Sequence, residues 1–240
     1  IIPTFNEVDN VSTIIKRVEE VLIGIDFQIL FVDDNSSDGT SEKIISHKHQ
    51  KSNVDLILRL GRRGLAGACI EGIISADSDY IAVMDCDLQH DENILPHMIK
   101  KFQTTDDLDL VIGSRHIDAG KSEKGFSLFR NISSKIAIKF TQIFLRITVH
   151  DPMSGFFMVK KSSVMKIIKK LQPNGFKILA DIIASSRGNW TVKEIGYVFK
   201  RRHSGKSKMN FIVALELLAL IGSHLTFGFL SARFFLFGFV

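Results

Sequence analysis

The chain is poor in cysteine, in proline and, over one long stretch, in acid. Cys69 and Cys86 are the only two cysteines in 240 residues. Two thiols cannot build a disulfide framework or a four-thiolate metal site, so a reduced compartment is the starting expectation. Four prolines and no low-complexity tract exclude a collagen-like or linker-dominated chain. No uncharged run reaches the ~20 residues that a membrane-spanning helix needs. No secretory signal pattern stands at the beginning. What remains is ordinary globular composition: 45% apolar and 24% charged residues, enough for one large domain with one sizeable core.

The net charge of +5 decides little, but its distribution is informative. Between Glu123 and Asp151 there is no acidic residue, while Lys124, Arg130, Lys135, Lys139 and Arg146 all fall there. Lys200, Arg201, Arg202, Lys206 and Lys208 form a second basic cluster. Such clusters attract phosphate, whether of a nucleotide or a lipid headgroup. Aromatic residues are not interleaved with them as a nucleic-acid stacking platform requires, so no nucleic-acid partner is expected.

From Asn210 to Val240 only Glu216 and Arg233 are charged, and seven of the 19 phenylalanines lie there. The uncharged stretch Leu217–Ala232 has 16 residues, and a second apolar run, Phe234–Val240, is cut off by the end of the sequence. The expectation is a domain over 1–209 followed by an interfacial or membrane-entering segment over 210–240. The alternative is a buried C-terminal helix. Basic residues just before an apolar segment place the domain on the cytoplasmic side. The opening Ile1-Ile2-Pro3 reads as a first strand entered after its start.

Short apolar runs alternate with amphipathic stretches. Gln28–Val32, Val54–Leu58, Tyr80–Met84 and Leu108–Ile112 read as strands. Val11–Val21, Ser41–His47 and Leu65–Ile74 read as helices between them. That alternation predicts an α/β fold, with a mostly parallel sheet and helices on both faces. Ligands of such sheets bind beyond the carboxyl ends of the strands. Two acidic groups stand at such ends: Asp33-Asp34 after Val32, and Asp85-Cys86-Asp87 after Met84. In an extended segment Asp85 and Asp87 face one side, and Gln89 follows if the chain stays extended. Paired carboxylates repel unless a cation lies between them, and hard oxygen ligands favour Mg²⁺ or Mn²⁺.

Ile2-Pro3-Thr4-Phe5-Asn6-Glu7, Val32-Asp33-Asp34-Asn35-Ser36-Ser37-Asp38-Gly39-Thr40, Gly64-Leu65-Ala66-Gly67-Ala68 and Met84-Asp85-Cys86-Asp87-Leu88-Gln89-His90 occur in that order. Gly113-Ser114-Arg115, Arg130-Asn131-Ile132-Ser133-Ser134, Asp151-Pro152-Met153-Ser154-Gly155-Phe156 and Arg202-His203-Ser204-Gly205-Lys206-Ser207-Lys208 continue the series. Over roughly residues 1–209 the chain resembles the inverting glycosyltransferase family 2. Within it, the resemblance is to the branch of dolichol-phosphate mannose synthases and other polyprenyl-phosphate glycosyltransferases. Two departures stand out: Phe5 where tyrosine is common, and Asp181 where glutamate is usual.

The resemblance implies a GT-A fold, with Pro3, Phe5, Glu7, Val32 and Asp34 around the donor nucleoside and Met84 and Cys86 beside it. Phe5 offers a stacking face, Asp34 an acceptor for a base N–H, and Glu7 an acceptor for ribose hydroxyls. Asp33 is read as a cap of its loop. Asp85, Asp87 and Gln89 would hold the metal, Mg²⁺ or Mn²⁺, against the diphosphate. Arg115, Arg130 and Ser134 would meet the acceptor phosphate, and Arg202 and Lys208 the donor phosphates or sugar. Asp85, Asp87 and Arg115 are the residues expected to carry the chemistry. An ionised lipid phosphate attacks without losing a proton, so neither His90 nor His116 is needed as a base. Gly125–Ile147 mixes basic and apolar residues and suits a helix lying on an anionic membrane.

The leading expectation is transfer of mannose from GDP-mannose to dolichyl or another polyprenyl phosphate. A UDP-sugar donor of the glucose type is the nearest rival. A processive polysaccharide synthase is disfavoured, because the only tryptophan, Trp190, does not stand in a Q-x-x-R-W motif. A silent, membrane-associated nucleotide-binding module is the remaining alternative. The intact Asp85, Asp87, Gln89 and Arg115 count against it.

Overall fold

The computed structural model describes residues 1–115, 117, 149–173 and 178–200. The first stretch alternates strictly: β1 (Ile2–Thr4), α1 (Val8–Val21), β2 (Ile29–Asp33), α2 (Thr40–Gln50), β3 (Val54–Leu58), α3 (Leu65–Ser75), β4 (Tyr80–Val83), α4 (Leu95–Thr104) and β5 (Leu108–Ser114). There follow β6 (Phe157–Lys160), α5 (Lys161–Ile167), α6 (Ile178–Ser186) and β7 (Thr191–Gly196).

The helix α1 buries Val11, Ile14, Ile15 and Val18, a stripe at the helical period. It starts three residues earlier than its apolar stripe suggests. The reason lies far away in sequence. Asp38 Oδ2 accepts from the Val8 amide at 3.2 Å, and Thr40 Oγ1 accepts from the Glu7 amide at 2.9 Å. The loop that leads into α2 thus satisfies the first amides of α1, which its own residues leave open.

Strands β1, β2 and β3 pair in parallel in the order β1-β2-β3. A second sheet has the order β4-β6-β5-β7. The two meet at β1 and β4: Ile1 N donates to Ala82 O at 2.7 Å, and Met84 N donates to Ile1 O at 3.1 Å. The expected parallel sheet therefore carries one exception. β6 runs antiparallel between β4 and β5. β6 follows β5 only after residues 115–156, and antiparallel pairing carries no crossover constraint.

The period-two alternation of the strands sorts side chains onto two faces. Met84, Val111, Phe156 and Met158 pack with α1, α2 and α4 through Ile14, Ile44 and Met98. Ile81, Val83, Leu110, Ile112, Phe157 and Val159 pack with α3, α5 and α6 through Cys69, Val164 and Ile182. Each large side chain buried this way contributes roughly 1.5–3 kcal/mol. Helices on both faces leave the carboxyl edge of the sheet as the open rim. Every strand except β6 points its end there, and β6 begins there. The motifs after β1, β2, β4, β5 and β7, and the one before β6, are thereby brought to one edge.

Among the described residues no helix is long and apolar enough to cross a membrane. The apolar segment over 210–240 and the basic-apolar stretch 125–147 lie outside the described residues.

Candidate functional site

After β2, two adjacent aspartates take different parts. Asp33 is fully buried and accepts from Thr4 Oγ1 at 3.0 Å, Ser36 N at 2.9 Å, Ser36 Oγ at 2.6 Å and Ser41 Oγ at 2.7 Å. It ties β1, β2 and α2 together, as a loop cap does. Asp34 turns the other way, to the loop after β3. Its Oδ1 meets Arg59 Nη1, and its Oδ2 accepts from the Gly64 amide at 2.7 Å. Arg59 is itself only 4% exposed and also donates from Nε to Glu71 Oε1 at 3.1 Å. A base that approaches Asp34 meets a carboxylate whose direction is already fixed.

Phe5 lies half-buried beside this loop, with the Arg63 guanidinium 4.7 Å from the centre of its ring. That spacing is a cation–π contact, so a base stacking on this ring takes its other face or displaces Arg63. Glu7 accepts from Asn10 Nδ2 at 2.7 Å through Oε2. The side chains of Pro3, Val32, Met84 and Cys86 are buried.

After β4 the chain carries Asp85 and Asp87. The Asp85 side chain is 37% exposed, whereas Asp87 is only 4% exposed. Asp87 Oδ1 accepts from the Gln89 amide at 3.1 Å. The extended run then ends, because Leu88 takes the left-handed conformation at φ 62°. Gln89 consequently does not keep the alternation expected of it. Its Nε2 donates to Lys200 O at 3.0 Å, and Lys200 N donates back to Gln89 O at 3.0 Å. This pair of bonds clips the acidic loop to the chain leaving β7.

His90 lies behind Asp85 in an aromatic cage of Phe156, Tyr197 and Phe199, at 5.1, 6.0 and 5.9 Å between ring centres. Burial pushes its pKa down to about 4, against the pull of Asp87. A buried neutral ring is a poor general base for a group at the rim. Burial likewise pushes the Cys69 thiol up to about 12, with Asp85 adding to the effect, and raises Cys86. Neither thiol is a nucleophile.

After β5, Arg115 is held by a bidentate fork. Its Nε and Nη2 each donate at 2.8 Å to the two oxygens of Asp151, and its amide adds a third bond at 3.2 Å. Asp151 is fully buried. Glu194 on β7 accepts from the Asp151 amide at 3.1 Å and the His150 amide at 2.9 Å. The guanidinium also lies 5.4 Å from the Phe199 ring centre. Burial lowers the Arg115 pKa, but the bonds to Asp151 outweigh it and leave the guanidinium more firmly charged.

Asp85 also lines a small pocket with Leu65, Cys69, Val83, Pro152, Ser154 and Gly155. The fit of these residues to a divalent cation rests on their chemistry and space. Both Asp85 and Asp87 offer hard oxygens, and the loop opposite Asp85 is pared to glycine at 155. A Cβ there would stand 2.9 Å from Asp85 Oδ2. Among the described residues no group of three or more His, Cys, Asp or Glu side chains gathers for a metal. A Mg²⁺ ion held through only one or two carboxylates takes its remaining ligands from substrate phosphates and water.

Asp181, the other departure from the family pattern, is 2% exposed on α6. It accepts from the Gln172 amide at 2.6 Å and holds the loop before α6. The sequence reading missed Arg59 and left Asp151 without a role. Arg59 stands one residue past β3, the same strand-end position that singled out the aspartates. Arg130, Ser134, Arg202 and Lys208 lie outside the described residues.

The mostly parallel α/β sheet thus carries acidic residues at the carboxyl ends of β2 and β4. Comparison with known proteins carries this further. Residues 1–168 match the family model described as Glycosyl transferase family 2, and the chain belongs to that family. It is 36% identical over 220 residues to a dolichol-phosphate mannosyltransferase of Pyrococcus furiosus, covering 91% of this chain and 60% of that relative. It is 28% identical over 238 residues to the dolichol-phosphate mannosyltransferase of Saccharomyces cerevisiae, covering 95% of this chain and 87% of that one. In fold it resembles glucosyl-3-phosphoglycerate synthase from Mycobacterium tuberculosis, solved with Mg²⁺ and uridine diphosphate. The TM-score is 0.72 at 13% identity, over 93% of this chain and 77% of that one.

Proposed function

We propose that the chain transfers mannose, with inversion, from GDP-mannose to a dolichyl-type polyprenyl phosphate. The observation that carries this reading is the likeness to dolichol-phosphate mannosyltransferases across more than nine-tenths of the chain. The geometry at the rim agrees with it. Phe5 and Asp34 offer a stacking face and a pre-aimed acceptor to the base. Glu7 would accept from the ribose hydroxyls. Asp85 and Asp87, with Gln89 near by, would hold Mg²⁺ or Mn²⁺, which supplies positive charge to the diphosphate as it leaves. Fold neighbours crystallised with such ions support a divalent requirement.

The acceptor phosphate needs no base, so the protein's task is alignment and charge. Arg115, fixed by Asp151, offers a cation at the rim; Arg130 and Ser134 would complete the acceptor side, and Arg202 and Lys208 the donor side. The basic stretches and the apolar segment over 210–240 fit a domain working at the cytoplasmic face of a membrane. The test is direct. Labelled GDP- and UDP-sugars are presented with dolichyl and undecaprenyl phosphates, in Mg²⁺, Mn²⁺ or EDTA. GDP-mannose should give the labelled lipid only with a cation. Transfer from UDP-glucose alone would replace the donor assignment, and full transfer in EDTA would remove the metal.

A further inference from the structure

The ring of His90 is a costly filling for its cage. A phenylalanine would stack on Phe156 equally well and bury no nitrogen, whereas a buried polar atom must find a partner or lose stability. Both nitrogens of His90 instead face Asp85. Nδ1 accepts the Asp85 backbone N–H at 3.1 Å. Since an amide only donates, Nδ1 carries no proton there, and the proton of the neutral ring sits on Nε2. Nε2 stands 3.7 Å from Asp85 Oδ2, longer than a hydrogen bond. Gly155 also stands against the carboxylate: a Cβ there would lie 2.9 Å from Asp85 Oδ2 and 3.3 Å from His90 Cε1.

We propose that His90 is a positioning residue for the Asp85 carboxylate. One nitrogen fixes the backbone of Asp85, the other reaches hydrogen-bond distance of its side chain when the carboxylate turns to hold a cation, and Gly155 leaves the space for that turn. The inference rests on the reading of Asp85 as a cation ligand. A donor behind a ligating carboxylate sets its direction, and its loss typically weakens metal affinity ~10- to 100-fold. His90 touches no substrate; it acts through Asp85.

The test is Mn²⁺ binding to the 240-residue chain with GDP present, read by electron paramagnetic resonance of the free ion, with no turnover involved. His90→Phe keeps the ring and removes both nitrogens, and should weaken Mn²⁺ roughly tenfold. Two partial replacements separate positioning from packing. The amide nitrogen of glutamine reaches the place of Nε2, and the amide oxygen of asparagine the place of Nδ1. His90→Gln should therefore recover more Mn²⁺ affinity than His90→Asn. Wild-type affinity in His90→Phe, or asparagine equalling glutamine, overturns the proposal. A wild-type chain that binds no Mn²⁺ overturns both this proposal and the metal reading of the function, whereas the first two results overturn His90 alone. Should the variants not fold, ¹⁵N-histidine spectra of the wild type decide. The Nε2–H tautomer, with an Nε2 signal that moves on adding Mg²⁺, supports the proposal. An Nδ1–H tautomer or an unmoved Nε2 overturns it.

Discussion

The two sheets organise their rims differently. In the β1–β3 half, partners sit in the loops after β1, β2 and β3, 3 to 33 residues apart, and bond through small polar groups and Arg59. Asp33 gathers Ser36 and Ser41 from the following turn, and Asp34 meets the loop after the adjacent strand. In the β4–β7 half, partners come from far apart. Arg115 meets Asp151, Gln89 meets Lys200, and His90 is caged by Phe156, Tyr197 and Phe199. The first half is a preformed cradle, and under the proposed function its occupant is the nucleoside. The second is an assembly whose charged groups are aimed by residues from other strands, so damage there should reach the chemistry before it reaches the fold.

The largest expected effect breaks the second half at its centre. Asp87→Ala should reduce cation-dependent transfer by roughly 10²–10³-fold or more, the scale of removing a preorganised electrostatic group. Its thermal unfolding should stay cooperative. Near-normal turnover of this variant in EDTA would remove Asp87 from the metal assignment.

The first half should respond in the opposite sense. Arg59→Met leaves Asp34 and Glu71 facing each other without the buried guanidinium between them. Breaking a buried pair from one side costs about 3–5 kcal/mol. Denaturant unfolding should show that loss, and Asp34→Asn in the same chain should recover part of it. A variant as stable as the wild type would show that Arg59 is not what holds the cradle.

This contrast also explains what was legible in the sequence. The strands and helices of residues 8–83 followed from periodicity, because each element buries one face and its partners are its neighbours. Asp34, Asp85 and Asp87 stood out because strand ends on a parallel sheet share one edge. β6 did not stand out, since Phe157–Lys160 is a four-residue strand reached after a long connection. The turn of Gln89 toward Lys200 was hidden too. It depends on one left-handed residue, Leu88, whose type gives no hint of that conformation. Arg59 was visible by position but was passed over, because its buried role needs Asp34 and Glu71 to be seen together.

A smaller change sharpens the comparison inside the second half. Asp151→Asn keeps the size of the side chain but removes the charge from the Arg115 fork. A charge-assisted hydrogen bond is worth about 1.5–3 kcal/mol. The acceptor kcat/KM should fall roughly 10- to 150-fold, and GDP binding without acceptor should hardly change. Weakened GDP binding with unchanged acceptor kinetics would move Arg115 to the donor side.

The smallest effect compares two glycines, one from each half. Gly39 takes φ 92° at the start of α2, and the nearest atom to a Cβ there is Val8 Cγ2 at 3.9 Å. Space is ample, so alanine is opposed by conformation alone, at about 1–2 kcal/mol. Gly155 is the reverse case: no positive φ is recorded for it, and a Cβ meets Asp85 Oδ2 at 2.9 Å. Gly39→Ala should therefore lower the unfolding midpoint and leave the kcat of the folded enzyme unchanged. Gly155→Ala should shift Asp85 and weaken Mn²⁺ binding, with less effect on the midpoint. Unfolding curves and Mn²⁺ titrations of the two variants give four numbers that should cross. If they run in parallel instead, the rim of the second half is no more sensitive in its chemistry than the first, and the division between cradle and aimed assembly fails.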